Sequence, residues 1–114
     1  MNTQHHVSPD GRLQLVVVRK GTDIAIGFEG TPSHTHGDAL VGEYAFAGIA
    51  LIDAEAAAMQ YVNDILSDNI KLHVFWMSGA IRDITALPYE VIDLAKYLSP
   101  GETIETRVWS RSGS

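Results

Sequence analysis

At 114 residues, with 46% apolar and 19% charged side chains, the chain has the size and composition of one folded domain. It holds no cysteine, which excludes a disulfide framework, a zinc–thiolate site and a thiol nucleophile, and fits a reducing cytoplasm. Its net charge of −6 argues against the clustered Lys and Arg on which nucleic-acid binding relies.

Residues 1–10 carry neither a basic segment nor a long apolar one, so no signal peptide is expected, and they read as a loose start ending in the turn Ser8-Pro9-Asp10-Gly11. Arg12 to Arg19 is rich in β-branched residues and predicts a strand buried on much of both faces. Lys20-Gly21-Thr22-Asp23 supplies a turn into Asp23–Phe28, where Ile24, Ile26 and Phe28 alternate, so a hairpin is expected. Between Ala39 and Ile52 short apolar runs are interrupted by Gly42 and Gly48, and the segment reads as a strand or irregular stretch leading into a helix. That helix is capped by Asp53 and carries Ala58, Tyr61, Val62, Ile65 and Leu66 on one stripe. Asn69 is its expected stop.

Ile70, Leu72, Val74 and Trp76 then alternate with polar and mixed positions, and Ser78-Gly79 turns the chain into a strand over Ala80–Ala86. Pro88 begins a short predicted helix reaching Leu98, Ser99-Pro100-Gly101 closes it, and Thr103–Trp109 alternates as a last strand. The end from about residue 110 to residue 114 reads as loose. The order predicts one α+β domain over residues 1–114, mainly antiparallel sheet with about two helices packed on one side. Its longest near-apolar stretch, Ala45–Ile52, is far below the roughly 20 residues that a membrane helix needs. A soluble protein is expected.

Charge is distributed unevenly. No Lys or Arg occurs between Lys20 and Lys71, whereas Asp23, Glu29, Asp38, Glu43, Asp53, Glu55, Asp64 and Asp68 all fall there. Such a block repels phosphate backbones and attracts basic surfaces or cations.

The most site-like cluster is His34-Thr35-His36-Gly37-Asp38. In extended chain, histidines at i and i+2 point the same way and can share a metal ion, with Asp38 as a further ligand or an orienting carboxylate. The string is similar to the HxHxDH motif of metallo-β-lactamase-fold hydrolases, but Ala39 stands where the last histidine belongs and the chain is too short for that two-layered fold. No nucleophile elbow surrounds any serine, and Gly27, Gly30 and Gly37 match no phosphate-cradling pattern. His73 lies opposite the apolar stripe of its strand. Trp109, beside Arg107 and near the end of the chain, is placed either as an interface anchor or against a helix.

Across Ile26–Asp38, Tyr61–Leu66, Gly79–Ile84 and Tyr97–Thr103 the chain resembles small bacterial immunity-type proteins, which neutralise a toxin encoded beside them. That resemblance implies a compact acidic α+β domain that binds tightly, catalyses nothing and needs no cofactor. The expected partner is then a basic toxin domain, with neither nucleic acid nor membrane involved and with a homo-oligomer left open. Glu29, His34, His36, Asp38, Glu43 and Trp109 are the expected contact residues. A metal-binding protein or metal-dependent enzyme using His34, His36 and Asp38 is the alternative.

Overall fold

The computed structural model describes residues 2–91 and 93–112. Its elements in chain order are β1 (Asn2–Val7), β2 (Gln14–Lys20), β3 (Asp23–Phe28), β4 (His34–His36), α1 (Gly37–Phe46), α2 (Ala54–Leu66), β5 (Leu72–Met77), β6 (Ala80–Ala86), a 3-10 turn (Leu94–Tyr97) and β7 (Glu102–Arg107). The fold is α+β and wholly antiparallel, and the strands divide into two sheets, ordered β1-β2-β3-β4 and β6-β5-β7.

Alternation builds the first sheet. Leu15 and Val17 of β2 and Ile24, Ile26 and Phe28 of β3 are buried on the inner face, while Val16 and Val18 are only half-buried on the outer one. In the second sheet Leu72 and Val74 of β5 stand beside Ala86 and Ile84 of β6. These residues join Leu40 and Tyr44 of α1, Ala57, Ala58, Tyr61 and Ile65 of α2, and Trp109 in one hydrophobic cluster. Both sheets and both helices therefore share a core, as expected for one domain.

Asp53 caps α2 as expected, its Oδ1 accepting from the Ala56 amide at 2.8 Å. The helix ends at Leu66, and Asp68 rather than Asn69 takes the left-handed backbone at φ 64°. Ser78 and Gly79, with φ of 53° and 79°, form the two-residue hairpin turn between β5 and β6.

Three expectations are corrected. The loose start is largely strand β1, paired along its whole length with β2, because backbone hydrogen bonds rather than side-chain burial hold it. Residues 37–46, which overlap the Ala39–Ile52 stretch read as strand or irregular, form helix α1, in which Leu40 and Tyr44 bury one turn apart. The helix expected from Pro88 to Leu98 reduces to the 3-10 turn at Leu94–Tyr97, since Asp93 adopts φ 59° and cannot extend a right-handed helix. At the other end Val108 bridges to Arg111, and Ser110 bonds to Asp68, so the chain is tied down through that point; residues 113 and 114 lie outside the described residues.

Candidate functional site

Strand β4 is an edge strand, and its register places His34 beside Gly27 and His36 beside Ala25. Gly27 permits the close approach: a Cβ there would come within 3.1 Å of the His34 Cβ and 3.2 Å of the Ser33 carbonyl oxygen. Both imidazoles project from the outer sheet face, with ring centres 5.1 Å apart. His36 Nδ1 lies 2.9 Å from Asp23 Oδ1 across the sheet, and His34 Nδ1 makes a longer 3.4 Å contact with the Pro32 carbonyl oxygen.

Asp38 does not complete this pair. It sits in the first turn of α1, where a carboxylate complements the exposed amides of the helix end. Among the described residues no three His, Asp or Glu side chains converge as metal ligands. Asp23, from the β2–β3 turn, takes the supporting position beside His36 that the sequence suggested for Asp38.

The close approach of Gly37 to Ala54 sets the helix arrangement. A Cβ on Gly37 would lie 2.6 Å from the Ala54 carbonyl oxygen. Farther along, the Tyr44 hydroxyl donates to Asp64 Oδ2 at 2.7 Å. The two helices thus start side by side and run the same general way, joined by the return connection 47–53. Asp38 and Asp53 flank the shared start.

Several acids of the central stretch are held by neutral donors. Asp53 caps α2, Asp64 accepts from Tyr44 and Gln60, and Asp68 accepts from Ser110. The Ser110 hydroxyl holds the Asp68 carboxyl below the ordinary carboxylate range. Arg19 reaches into the stretch to pair with Glu55 at 2.5 Å. Other flanking cations pair with flanking acids: Arg107 with Asp10, Arg82 with Glu102, and Lys71 with Glu90 at the 4.0 Å limit.

The remaining expected contact residues separate. Glu43 is half-buried on α1, accepts from the Tyr89 hydroxyl, and faces a cavity of about 230 Å³ whose lining includes His34, Thr35, Tyr61 and Thr85. Tyr61 donates to the Ala86 carbonyl at 2.7 Å, and burial first, then the Glu43 charge, pushes its hydroxyl pKa up. Glu29 is exposed and shares a shallow groove with His34 on the outer sheet face. Trp109 takes the packed one of its two expected places and not the interface one. Only 4% exposed, it lies in the core, because β7 ends at Arg107 and the chain folds back through the Val108–Arg111 bridge.

A group not singled out in the sequence now stands out. Phe46 is 78% exposed, Ile49 44%, Ile52 91% and Met59 50%, all on the return connection or the adjoining part of α1 and α2. The Phe46 ring leans on Tyr89 with centres 4.7 Å apart, and Arg19 Nη2 lies 3.1 Å from the Met59 sulfur. Their signal was the near-apolar run Ala45–Ile52, whose exposure could not be read without the position of α1. No helix of the described residues is long and apolar enough to cross a membrane.

No protein-family model, curated protein or solved structure matches the chain.

Proposed function

We propose that the chain is a non-catalytic binding protein of the immunity or inhibitor kind, docking in the cytoplasm on a basic protein partner. The observation that carries this reading is the exposure of Phe46, at the end of α1, and Ile52, on the connection that leads to Asp53, at 78% and 91%. A lone exposed apolar side chain is ordinary, but several large ones on a short connection are the usual mark of a contact surface. Anchors of this kind supply affinity once buried by a partner, while surrounding charge speeds encounter and selects the partner's sign.

Asp53 follows Ile52 directly, and the basic-free stretch from residue 21 to residue 70 around these anchors favours a partner rimmed with Lys and Arg. A second copy of the same acidic chain, or an anionic lipid surface, is disfavoured by like charge. Exposed Glu29 and Asp38 remain the outward acids of the expected patch, whereas Glu43 is turned toward the cleft and Trp109 contributes to the core.

The test is calorimetry with the protein that co-purifies from the source organism. Phe46→Ala with Ile52→Ala is expected to weaken binding by tenfold or more, and Glu29→Lys with Asp38→Lys to flatten its salt dependence. Affinity and salt dependence unchanged in both double variants would contradict the proposal.

A further inference from the structure

We infer that His34 and His36 form a two-imidazole site for a divalent transition-metal ion of the Cu²⁺, Ni²⁺ or Zn²⁺ class, with Asp23 as its supporting carboxylate. The inference is independent of the docking surface and rests on the outer face of the first sheet. Strand geometry sends both side chains to that face, and their ring centres lie 5.1 Å apart. Two imidazoles on one tetrahedral ion, each bonded at about 2.0–2.1 Å, hold their ring centres roughly 5 Å apart. The edge strand thus holds the ring centres at that spacing, with the ring planes 74° apart.

Both Nδ1 atoms face protein oxygens, at 2.9 Å for His36 and at a longer 3.4 Å for His34. The Pro32 carbonyl oxygen and the Asp23 carboxylate can only accept, so the nitrogens facing them, Nδ1 of His34 and Nδ1 of His36, are the donors. Each ring thereby leaves Nε2 as the nitrogen turned away from these oxygens and available to a metal. A carboxylate on the far nitrogen is also the recurring support of metal-bound histidine, fixing ring orientation and raising basicity.

Access agrees with this assignment. His34 is exposed, and the side chains of His36 and Asp23 are 42% and 56% exposed, so an ion reaches both rings from solvent. Asp23 supplies a carboxylate beside the rings, and Lys20 stands opposite Asp23 in the sheet register. The described residues offer no third converging ligand, and water fills the remaining positions. The site is therefore open and exchangeable, with Cu²⁺ held more tightly than Zn²⁺.

The probe is Zn²⁺ titrated into the full chain, followed by calorimetry and by long-range proton–nitrogen NMR of the imidazoles. One ion per chain is expected, with shifts concentrated at Nε2 of His34 and His36. His34→Ala and His36→Ala should each weaken binding at least tenfold, and Asp23→Asn by about tenfold. His5→Ala with His6→Ala should leave the site intact. His34→Gln, which keeps a polar side chain on the strand, should lose binding without a change in thermal midpoint. Absence of saturable binding, binding that disappears with His5 and His6, coordination through Nδ1, or affinity indifferent to His34 and His36 would each overturn the assignment.

Discussion

Arg107 shows how single residues organise this molecule. Its side chain is 1% exposed, yet each nitrogen is used: Nε donates to the Val108 carbonyl at 3.0 Å, Nη1 to Asp10 at 2.8 Å, and Nη2 to the Trp109 carbonyl at 3.0 Å. Asp10 also accepts from the Ser8 hydroxyl and the Arg12 amide. The Arg107 guanidinium, seconded by these donors, holds the Asp10 carboxyl well below the usual carboxylate range. Asp10→Asn leaves a buried cation without its counter-charge and is expected to cost about 2–3 kcal/mol in urea unfolding, somewhat under a fully buried pair because water reaches Asp10. Because the folded carboxyl binds its proton less readily than the unfolded one, its contribution is complete above about pH 5 and is lost as pH falls further. Wild-type stability should therefore decline below about pH 5, and Asp10→Asn should flatten that decline. The same cluster explains why Trp109 was legible only as a choice between interface and core. Its neighbour Arg107 looked like a surface residue, and its partner Asp10 lies at the far end of the chain.

Among elements, α2 was legible and α1 was not. In α2 a carboxylate cap and a stripe of buried apolar residues agree, with Glu55 and Asn63 exposed away from that stripe. In α1 the buried side Leu40 and Tyr44 is matched by apolar Ala45 and Phe46 in solvent, so periodicity is erased. Strand β1 was hidden for a related reason: Asn2-Thr3-Gln4-His5-His6 buries little, and pairing with β2 makes the strand. Two substitutions test these elements. Asp53→Ala should lower stability by about 1 kcal/mol through loss of the cap. Gly37→Ala should cost about 1–3 kcal/mol, since its new methyl meets the Ala54 carbonyl oxygen and the two helix starts must separate. A Gly37→Ala chain as stable as wild type in chemical denaturation would contradict this packing. At the β4 edge, the pairing of His34 with His36 followed from strand alternation, but Asp23 lies thirteen residues before His36 and reaches it only through sheet register.

At the scale of the whole molecule, two sheets and two helices enclose one core and leave the α1–α2 connection as its apolar outlier. The antiparallel α+β character was legible because hairpins and amphipathic stretches are local signals. The split into two sheets was not, since which strand edges meet is decided by long-range packing. The acidic block was visible in the sequence, whereas the apolar anchors beside it required three dimensions. Together they make docking on a basic protein the central claim. Its most direct measurement is photocrosslinking in cells of the source organism, with a photoreactive residue at Ile52 and, as control, at Thr22 in the exposed β2–β3 turn. A basic polypeptide captured from position 52 and not from position 22 is the predicted result. Equal capture from both positions, or no protein adduct at position 52, would contradict it.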